Sequence, residues 1–159
     1  KNFEALLAAA PANMRAYFVA TRRRVPAFEP WLAQETRGVE KLTMLFSDPR
    51  ARAQAMDALR ATGRFEVTSS IPGNLELNAL GVDKGMALLE LARMLDIPRA
   101  AVMACGDSSN DLAMLRAAGL GVAMGNATPE ARAASGAVVA SNNEDGVAEA
   151  IERYVLGEG

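Results

Sequence analysis

A short polar segment near residue 107 carries the side chains best suited to chemistry. Asp107, Asn110 and Asp111 follow closely on the apolar run Ala100–Cys105. Neighbouring carboxylates suit a hard cation such as Mg²⁺, which proteins usually hold through one or two carboxylates together with water and a phosphate group. Lys84 lies upstream and could bring a positive charge to the same place and neutralise phosphate. Together these residue types form an inventory for phosphoryl transfer.

The same residues also have a purely structural interpretation. Ser108-x-x-Asp111 is the pattern of a capping box, and an acid in the first helical turn is favoured by the helix dipole without any catalysis. Lys84 taken alone is typical of a solvated lysine at the start of a helix. The residues by themselves therefore leave a helix cap and a metal site open as alternatives.

From residue 82 onward, the elements that position these residues alternate between helix and strand. Ala100–Cys105 predicts a strand buried on both faces, and an apolar stripe at helical spacing precedes it at Leu88, Leu91, Ala92 and Leu95. A second helical stripe follows at Leu112, Leu115 and Ala118, with Gly119 predicted as its left-handed cap. Strands are predicted at Leu120–Met124 and Ala137–Ala140, with a helix start at Thr128-Pro129 between them. The last helix is predicted at Val147–Leu156, after a Ser141-x-x-Glu144 capping box. Such alternation implies right-handed crossovers and a parallel sheet. The predicted fold class is therefore α/β, as half of a doubly wound, Rossmann-like sheet.

Residues 1–80 have a more mixed pattern and are predicted to form a small α/β layer. The strand candidates are Met14–Ala20, Glu40–Phe46, Phe65–Ser70 and Asn74–Asn78, and the helix candidates are Phe3–Ala10, Phe28–Glu35 and Arg50–Ala61. Asp48 is predicted as the N-cap of the last helix, with Pro49 as its first residue. Because the pattern changes near Gly81, we predict two domains, residues 1–80 and 81–159.

Composition and charge limit the classes of function. The 159 residues carry a formal net charge of −2 and are 50% hydrophobic, which is typical of a globular protein and gives no general attraction to nucleic acid or anionic membrane. The single cysteine, Cys105, excludes an intramolecular disulfide and fits a reducing compartment. No apolar run approaches the ~20 residues of a membrane span and no signal pattern is seen, so we predict a cytoplasmic location.

Four segments, in their order and spacing, closely resemble phosphatases of the haloacid dehalogenase superfamily, of the Cof type. They are Gly-Val-Asp-Lys-Gly (81–85), Cys-Gly-Asp-Ser-Ser-Asn-Asp (105–111), Ala-Gly-Leu-Gly-Val-Ala-Met-Gly-Asn-Ala (118–127) and Asn-Glu-Asp-Gly-Val-Ala (143–148). Residues 40–80 are similar to the closing part of that family's C2-type α/β cap, and residues 1–39 match more weakly. The resemblance thus implies a partial cap domain followed by the C-terminal half of the hydrolase core.

The resemblance also implies an activity and a set of roles. The family hydrolyses small phosphate esters, often sugar phosphates, with Mg²⁺ as cofactor and through an aspartyl-phosphate. By this likeness Asp107 is a metal ligand, Lys84 binds phosphate and steadies the nucleophile, Asn110 contacts phosphate or substrate, and Asp111 orients Lys84 or a metal-bound water. The implied partner is a small phosphorylated metabolite, with neither nucleic acid nor membrane.

The sequence departs from the family's pattern at the nucleophile. No Asp-x-Asp-Gly motif stands before Lys84, and the Thr or Ser motif that follows it in the family is also missing. Because phosphate monoester hydrolysis needs acceleration of up to ~10²¹-fold, we expect an inactive fragment. Mg²⁺-dependent hydrolysis of p-nitrophenyl phosphate by the pure chain would contradict this expectation.

Loss of the strand that carries the nucleophile would bare an apolar edge beside Ala100–Cys105. We therefore expect a homodimer or association with the missing N-terminal half, and a strictly monomeric elution profile at high concentration would count against it. Two other functions stay open: a catalytically silent regulatory module that binds metal and phosphate, and a phosphomutase of the same superfamily. Activity on p-nitrophenyl phosphate compared with a hexose phosphate would separate hydrolase from mutase.

Overall fold

The computed structural model describes residues 4, 7, 12–70 and 73–157, and the chain divides into two compact units, residues 1–39 and 40–159. The first unit contains α1 (Ala12–Thr21) and α2 (Phe28–Gln34), so the helix predicted near Phe28 is confirmed. The strand predicted at Met14–Ala20 is wrong, because the segment lies in α1. Its apolar residues do not alternate with polar ones, and the hydroxyl of Thr21 donates to the carbonyl oxygen of Tyr17 one turn earlier.

The second unit begins with a three-stranded antiparallel sheet in the order β1–β3–β2. Its elements are β1 (Leu42–Leu45), α3 (Pro49–Ala61), β2 (Phe65–Thr68) and β3 (Asn74–Ala79). All three strands and the helix predicted between residues 40 and 80 are confirmed, with ends that differ by up to two residues. Asp48 caps α3 as predicted, since its carboxylate accepts the N–H of Arg50.

One face of this sheet is apolar and the other is polar. Leu75 and Leu77 of β3 are buried on the apolar face, where Met56 and Leu59 of α3 pack against them. The opposite face carries six polar residues, which we call the polar face: Thr43, Glu76 and Thr68 side by side across the three strands, the pair Asn78 and Glu66 one row along, and Asn74 one row the other way, opposite Leu45. Successive residues of a strand point to opposite faces, so the sequence alternation sets this arrangement.

The rest of the second unit is a parallel sheet with helices around it. The elements are α4 (Lys84–Met94), β4 (Met103–Gly106), α5 (Leu112–Ala117), β5 (Leu120–Ala123), α6 (Pro129–Ala133), β6 (Ala137–Val138) and α7 (Gly146–Ile151), which continues as a π-helical turn over Glu152–Leu156. The strand order is β4–β5–β6, and both pairs are parallel. The α/β fold class is therefore as predicted.

Both faces of the parallel sheet are covered. Ala104 of β4 packs with Ala92 of α4 on one side, whereas its neighbours Met103 and Cys105 pack in the cluster that contains Ala150 of α7. Such burial on both faces is typical of parallel sheets. Thr128 caps α6 as predicted, because its hydroxyl accepts the N–H of Ala131.

Several details of this region differ from the prediction. The strand predicted at Ala137–Ala140 ends at Val138. Ser141 does not cap the last helix, because residues 142–145 form a turn and the N-cap is Asp145.

The strand predicted from Ala100 starts at Met103, because residues 99–101 form a 3₁₀ turn. Gly119 is not a left-handed cap: a Cβ there would lie 2.3 Å from the carbonyl oxygen of Arg99, so the glycine allows a close approach of two chain segments. Of the helical stripe before β4, Leu91 and Leu95 are exposed at 53% and 59% and do not belong to the core.

Several predictions remain untested by the fold. Of the helix predicted at Phe3–Ala10, Glu4 and Leu7 are helical, and the other residues lie outside the described ones. The domain boundary at residue 80 stays a prediction. Within the described strands β4 pairs only with β5, so association of its open edge with another strand also stays a prediction. No helix in the described ranges is long and apolar enough to cross a membrane.

Candidate active site

Asp111 is a buried carboxylate whose two oxygens are both engaged. Its Oδ1 accepts a hydrogen bond from Lys84 Nζ at 2.6 Å, and its Oδ2 accepts the backbone N–H groups of Asp107 at 3.0 Å and Ser108 at 3.2 Å. Burial alone would raise the pKa of Asp111, but these hydrogen bonds from Lys84, Asp107 and Ser108 outweigh it and lower the pKa. Asp111 therefore stays ionised at neutral pH and holds Lys84 in place.

Two glycines allow this ion pair to form. A Cβ at Gly106 would lie 2.6 Å from the Cβ of Asp111, so only glycine lets the end of β4 come this close to the carboxylate. A Cβ at Gly85 would lie 2.6 Å from the carbonyl oxygen of Ala113, so only glycine lets the start of α4 pack closely on α5. The second contact brings Lys84 within reach of Asp111.

Asn110 lies in the short turn between β4 and α5. This turn is the capping box predicted at Ser108-x-x-Asp111, and the structure forms it. The hydroxyl of Ser108 donates to Asn110 Oδ1 at 2.6 Å, which fixes the side-chain amide and leaves its N–H groups for a ligand. The capping interpretation of Asp111 is therefore confirmed, and the same carboxylate also pairs with Lys84. The metal-site interpretation stays a prediction.

Asp107 has a different environment, because one of its carboxylate oxygens is held and the other is open. Its Oδ2 accepts the side-chain amide of Asn126 at 3.0 Å, and its carbonyl oxygen accepts the N–H of Thr128 at 2.9 Å. Asn126 is itself fixed, since its Oδ1 accepts the backbone N–H of Asn142 at 3.0 Å. Oδ1 of Asp107 accepts no hydrogen bond from the described residues.

Asn126 is a site residue that the sequence analysis did not identify. It lies within the 118–127 segment that carries the family resemblance, but its partners Asp107 and Asn142 are 19 and 16 residues away in the chain. No local pattern predicts such contacts. The only available signal was that an asparagine follows the glycine after a buried strand, at the edge where Asp107 also lies.

The donor set fits a magnesium ion that takes one carboxylate from this part of the protein. Among the described residues, no three acidic, cysteine or histidine side chains converge as a metal site. Asp107 can offer its open Oδ1, whereas both oxygens of Asp111 are already in hydrogen bonds. Mg²⁺ is commonly held by only one or two carboxylates, with water and substrate phosphate completing the octahedron, so a single ligand is compatible with it.

Two cavities border the site. The smaller, of about 210 Å³, contains Lys84 and Asn110 in its wall, and its other polar lining residues are Lys41, Thr68, Glu76, Asn78 and Asp83. The larger, of about 510 Å³, is lined by Ser108 and Ser109 but by none of the four predicted site residues. The smaller cavity is therefore the one that Lys84 and Asn110 face, whereas Asp107 and Asp111 line neither cavity.

The parallel sheet β4–β5–β6, covered by helices, is a Rossmann-like α/β fold. Residues 18–151 match the family model of haloacid dehalogenase-like hydrolases. The chain belongs to that family, which confirms the membership predicted from its motifs. The roles of Lys84, Asp107, Asn110 and Asp111 stay predictions.

Three similar proteins carry the names of phosphatases or hydrolases. The 5-amino-6-(5-phospho-D-ribitylamino)uracil phosphatase YcsE of Bacillus subtilis is 44% identical over 109 residues, which cover 69% of this chain and 44% of that protein. A haloacid dehalogenase-like hydrolase from Bacteroides thetaiotaomicron has a similar structure, with a TM-score of 0.70 and 36% identity over 89% of this chain and 53% of the other. A subclass IIB sugar phosphatase gives a TM-score of 0.72 and 27% identity over 91% of this chain and 55% of the other. The chain thus spans about half the length of these relatives.

Proposed function

We propose that the protein is a Mg²⁺-dependent phosphatase of small phosphate monoesters such as sugar phosphates, and that this chain supplies metal- and phosphate-binding groups of its active site. The observation that carries the proposal is the Lys84–Asp111 ion pair beside the open carboxylate oxygen of Asp107. The ribitylaminouracil phosphatase and the sugar phosphatase among the similar proteins support it.

Lys84 is placed to bind phosphate. Its ammonium group has three N–H donors, of which one is used by Asp111, and its side chain is 50% exposed. Two donors therefore remain for phosphate oxygens. Asn110 lines the same cavity and adds its amide N–H groups. Asp111 would act through the lysine, by holding the ammonium at one place.

Asp107 would hold the metal through Oδ1, with Asn126 fixing the direction of the carboxylate. Bound Mg²⁺ would neutralise phosphate charge and orient the ester. The covalent step needs a nucleophilic aspartate in an Asp-x-Asp-Gly motif, which these 159 residues do not contain. We therefore expect the chain by itself to bind ligands without hydrolysing p-nitrophenyl phosphate.

The proposal can be tested by NMR titration of the chain with inorganic phosphate, with and without Mg²⁺. Phosphate should shift the amide signals of Lys84 and residues 107–111 only weakly alone and more strongly with Mg²⁺. Asp107→Asn should remove the Mg²⁺-dependent part, and Lys84→Met should remove the response to phosphate. The matched control is Glu90→Gln, which removes an exposed carboxylate from the same helix as Lys84.

Two results would contradict this assignment. One is a phosphate response that ignores residues 107–111 and Lys84. The other is a calorimetric Mg²⁺ titration with a Kd tighter than millimolar, because a single protein carboxylate should bind weakly until substrate phosphate joins it.

A further inference from the structure

The larger of the two cavities, of about 510 Å³, is lined by none of the residues proposed to bind metal or phosphate. Its volume lies within the ~300–1,000 Å³ that is usual for small-molecule pockets. The described part of its wall includes two charged side chains, Arg52 and Glu130, the hydroxyl of Ser109, and the apolar Phe46 and Pro49. We propose that this cavity is a regulatory site for a small zwitterion, an α-amino acid with an apolar side chain, and that the bound amino acid weakens phosphate binding at the candidate active site.

Arg52 is a fixed cation with hydrogen-bond donors to spare. The residue is half-buried, and its Nε donates to the carbonyl oxygen of Asn74 at 2.8 Å, which holds the guanidinium group. A guanidinium group has five N–H donors, and the other four make no hydrogen bond or ion pair with the described residues. Such donors match the two oxygens of a carboxylate. The hydroxyl of Ser109, which also has no partner among the described residues, can add a further hydrogen bond.

Glu130 supplies the opposite charge in the same wall. It is exposed, and its carboxylate makes no hydrogen bond or ion pair with the described residues. Glu130 and Arg52 therefore line one cavity without neutralising each other. An unpaired anion and an unpaired cation together suit a ligand that carries both an ammonium group and a carboxylate.

The rest of the wall narrows the class of ligand. A phosphate dianion is disfavoured, because Glu130 would repel it while Arg52 attracted it. A purely apolar molecule is disfavoured as well, since it would cover both charges without pairing them. Phe46 and Pro49 give an apolar side chain a surface to contact. An amino acid with an aliphatic side chain meets all of these conditions.

Ser108 connects this cavity with the candidate active site. It lines the cavity, and its hydroxyl donates to Asn110 Oδ1 at 2.6 Å. A hydroxyl group has a single proton to donate. A ligand carboxylate would take that proton from the neutral amide oxygen of Asn110, because hydrogen bonds to an ionised acceptor are about twice as strong. The amide of Asn110 would then lose its fixed direction toward phosphate. This coupling rests on the proposed function, whereas the ligand site does not.

The test of the ligand site uses L-leucine and two relatives that each lack one charge. L-Leucinamide has no carboxylate, and N-acetyl-L-leucine has no ammonium group. Leucine should bind the chain about 10-fold more tightly than either relative, because each relative loses a hydrogen-bonded charge pair. NMR titration measures these affinities, and leucine should shift the amide signals of Ser109 and Glu130. Equal affinity of the three ligands, or leucine shifts that miss the cavity wall, would overturn the site.

Variants assign each charge to its residue. In Arg52→Met, leucine should bind no better than leucinamide, and in Glu130→Gln no better than N-acetyl-leucine. Arg50→Met is the matched control, because Arg50 lies on the same helix as Arg52 and outside the described cavity wall. Glu130 is exposed, so its variant decides the matter even if Arg52→Met misfolds. A preference for leucine that survives Glu130→Gln would contradict the proposal.

The regulatory role is tested by titrating inorganic phosphate in the presence of Mg²⁺, with and without saturating leucine. Leucine should weaken phosphate binding about 5-fold, and phosphate should weaken leucine binding by the same factor, since coupling between sites is reciprocal. Ser108→Ala should remove this coupling while leucine still shifts Glu130.

The outcomes keep this site separate from the proposed function. If leucine binds and the affinity for phosphate does not fall, the regulatory role is overturned and the proposed function stands. If inorganic phosphate shifts neither Lys84 nor Asn110, the proposed function fails and the regulatory role fails with it. The leucine titration decides the ligand site in either case.

Discussion

The two sheets of residues 40–159 place their polar side chains in different ways. In the antiparallel sheet, polar residues occupy one face. Thr43, Glu76 and Thr68, for example, lie side by side on the three adjacent strands. In the parallel sheet both faces pack against apolar clusters, and the polar residues Asp107 to Asp111 begin only where β4 ends. The antiparallel sheet therefore presents polar side chains over one whole face, whereas the parallel sheet presents them only beyond the end of a strand.

The two arrangements respond differently to substitution. Lys84 and Asp111, beside the end of β4, are held by a capping box, close glycine contacts and their ion pair, so changes there disturb the fold. Residues of the polar face are backed by an independent apolar face, so they can change without loss of packing. The first arrangement suits residues whose positions must stay fixed, and the second suits residues that can be substituted.

The largest effect should come from the apolar face of the antiparallel sheet. Leu75 is 0% exposed, and Leu75→Ala should lower the free energy of unfolding by about 2–5 kcal/mol, because it removes buried methyl groups and leaves a cavity. Urea denaturation measures this change. Thr43→Ala, on the polar face, should alter it by only about 0.5 kcal/mol. Similar losses for the two variants would show that the faces are not independent.

The sequence predicts the two sheets to different extents. The three strands of the antiparallel sheet follow from alternation within short segments, and the structure confirms them. In the parallel region the strand ends shift, as at Met103, because both faces are apolar and no alternation marks where extension begins. The Met14–Ala20 segment was predicted as a strand but is helical. Its Tyr, Phe and Val favour a strand, and the helix preference of its Met, Arg and Ala outweighs them.

For the candidate site, local patterns predict only the local contacts. The Ser108-x-x-Asp111 capping box can be predicted from the sequence because its two members are only three residues apart. The contact between Lys84 and Asp111 joins residues 27 positions apart in the chain, and only the family resemblance suggested it. The Asn126 contact with Asp107 was not predicted, and Gly119 was predicted as a left-handed helix cap instead of a close approach, because both contacts depend on segments that meet only in the folded chain.

The next effect concerns the strand edge, where Asp111→Asn should lower the free energy of unfolding by about 1–3 kcal/mol. The amide cannot replace a charged acceptor for Lys84 and two backbone N–H groups in a site that is 6% exposed. Because the pKa of Asp111 is lowered on folding, its contribution is complete above the ordinary aspartate pKa of about 3.9 and is lost as the pH falls through the lower value in the folded state. Urea denaturation of both proteins at several pH values measures this.

A matched control tests whether burial is the cause. Ser141-x-x-Glu144 repeats the same pattern, with Ser141 Oγ donating to Glu144 at 2.7 Å, but Glu144 is exposed whereas Asp111 is buried. Glu144→Gln should leave stability unchanged at neutral pH. If the difference between wild type and Asp111→Asn persists unchanged below pH 3, the ionised carboxylate is not the source of the stabilisation.

A smaller effect, and one on binding instead of folding, is expected at Asn126. Asn126→Ala removes the donor that fixes Asp107 Oδ2, so Asp107 would lose its preferred direction toward a metal. Groups that orient a metal ligand typically change metal affinity by about 10–100-fold, and we expect weaker Mg²⁺ binding in this range. Since Asn126 is exposed, the urea midpoint should hardly change. Mg²⁺ titration followed by the amide signals of Asp107 and Ser108 measures the affinity.

Asn142→Ala is the control for this variant. Asn142 contacts Asn126 through its backbone N–H, which alanine retains, so Mg²⁺ affinity should stay at the wild-type value. A loss of affinity in Asn126→Ala without a loss in Asn142→Ala would assign the effect to the amide that faces Asp107. Equal Mg²⁺ affinity of the wild type, Asn126→Ala and Asn142→Ala would instead mean that Asp107 needs no fixed orientation. Only the positions of Lys84 and Asp111 would then have to be fixed.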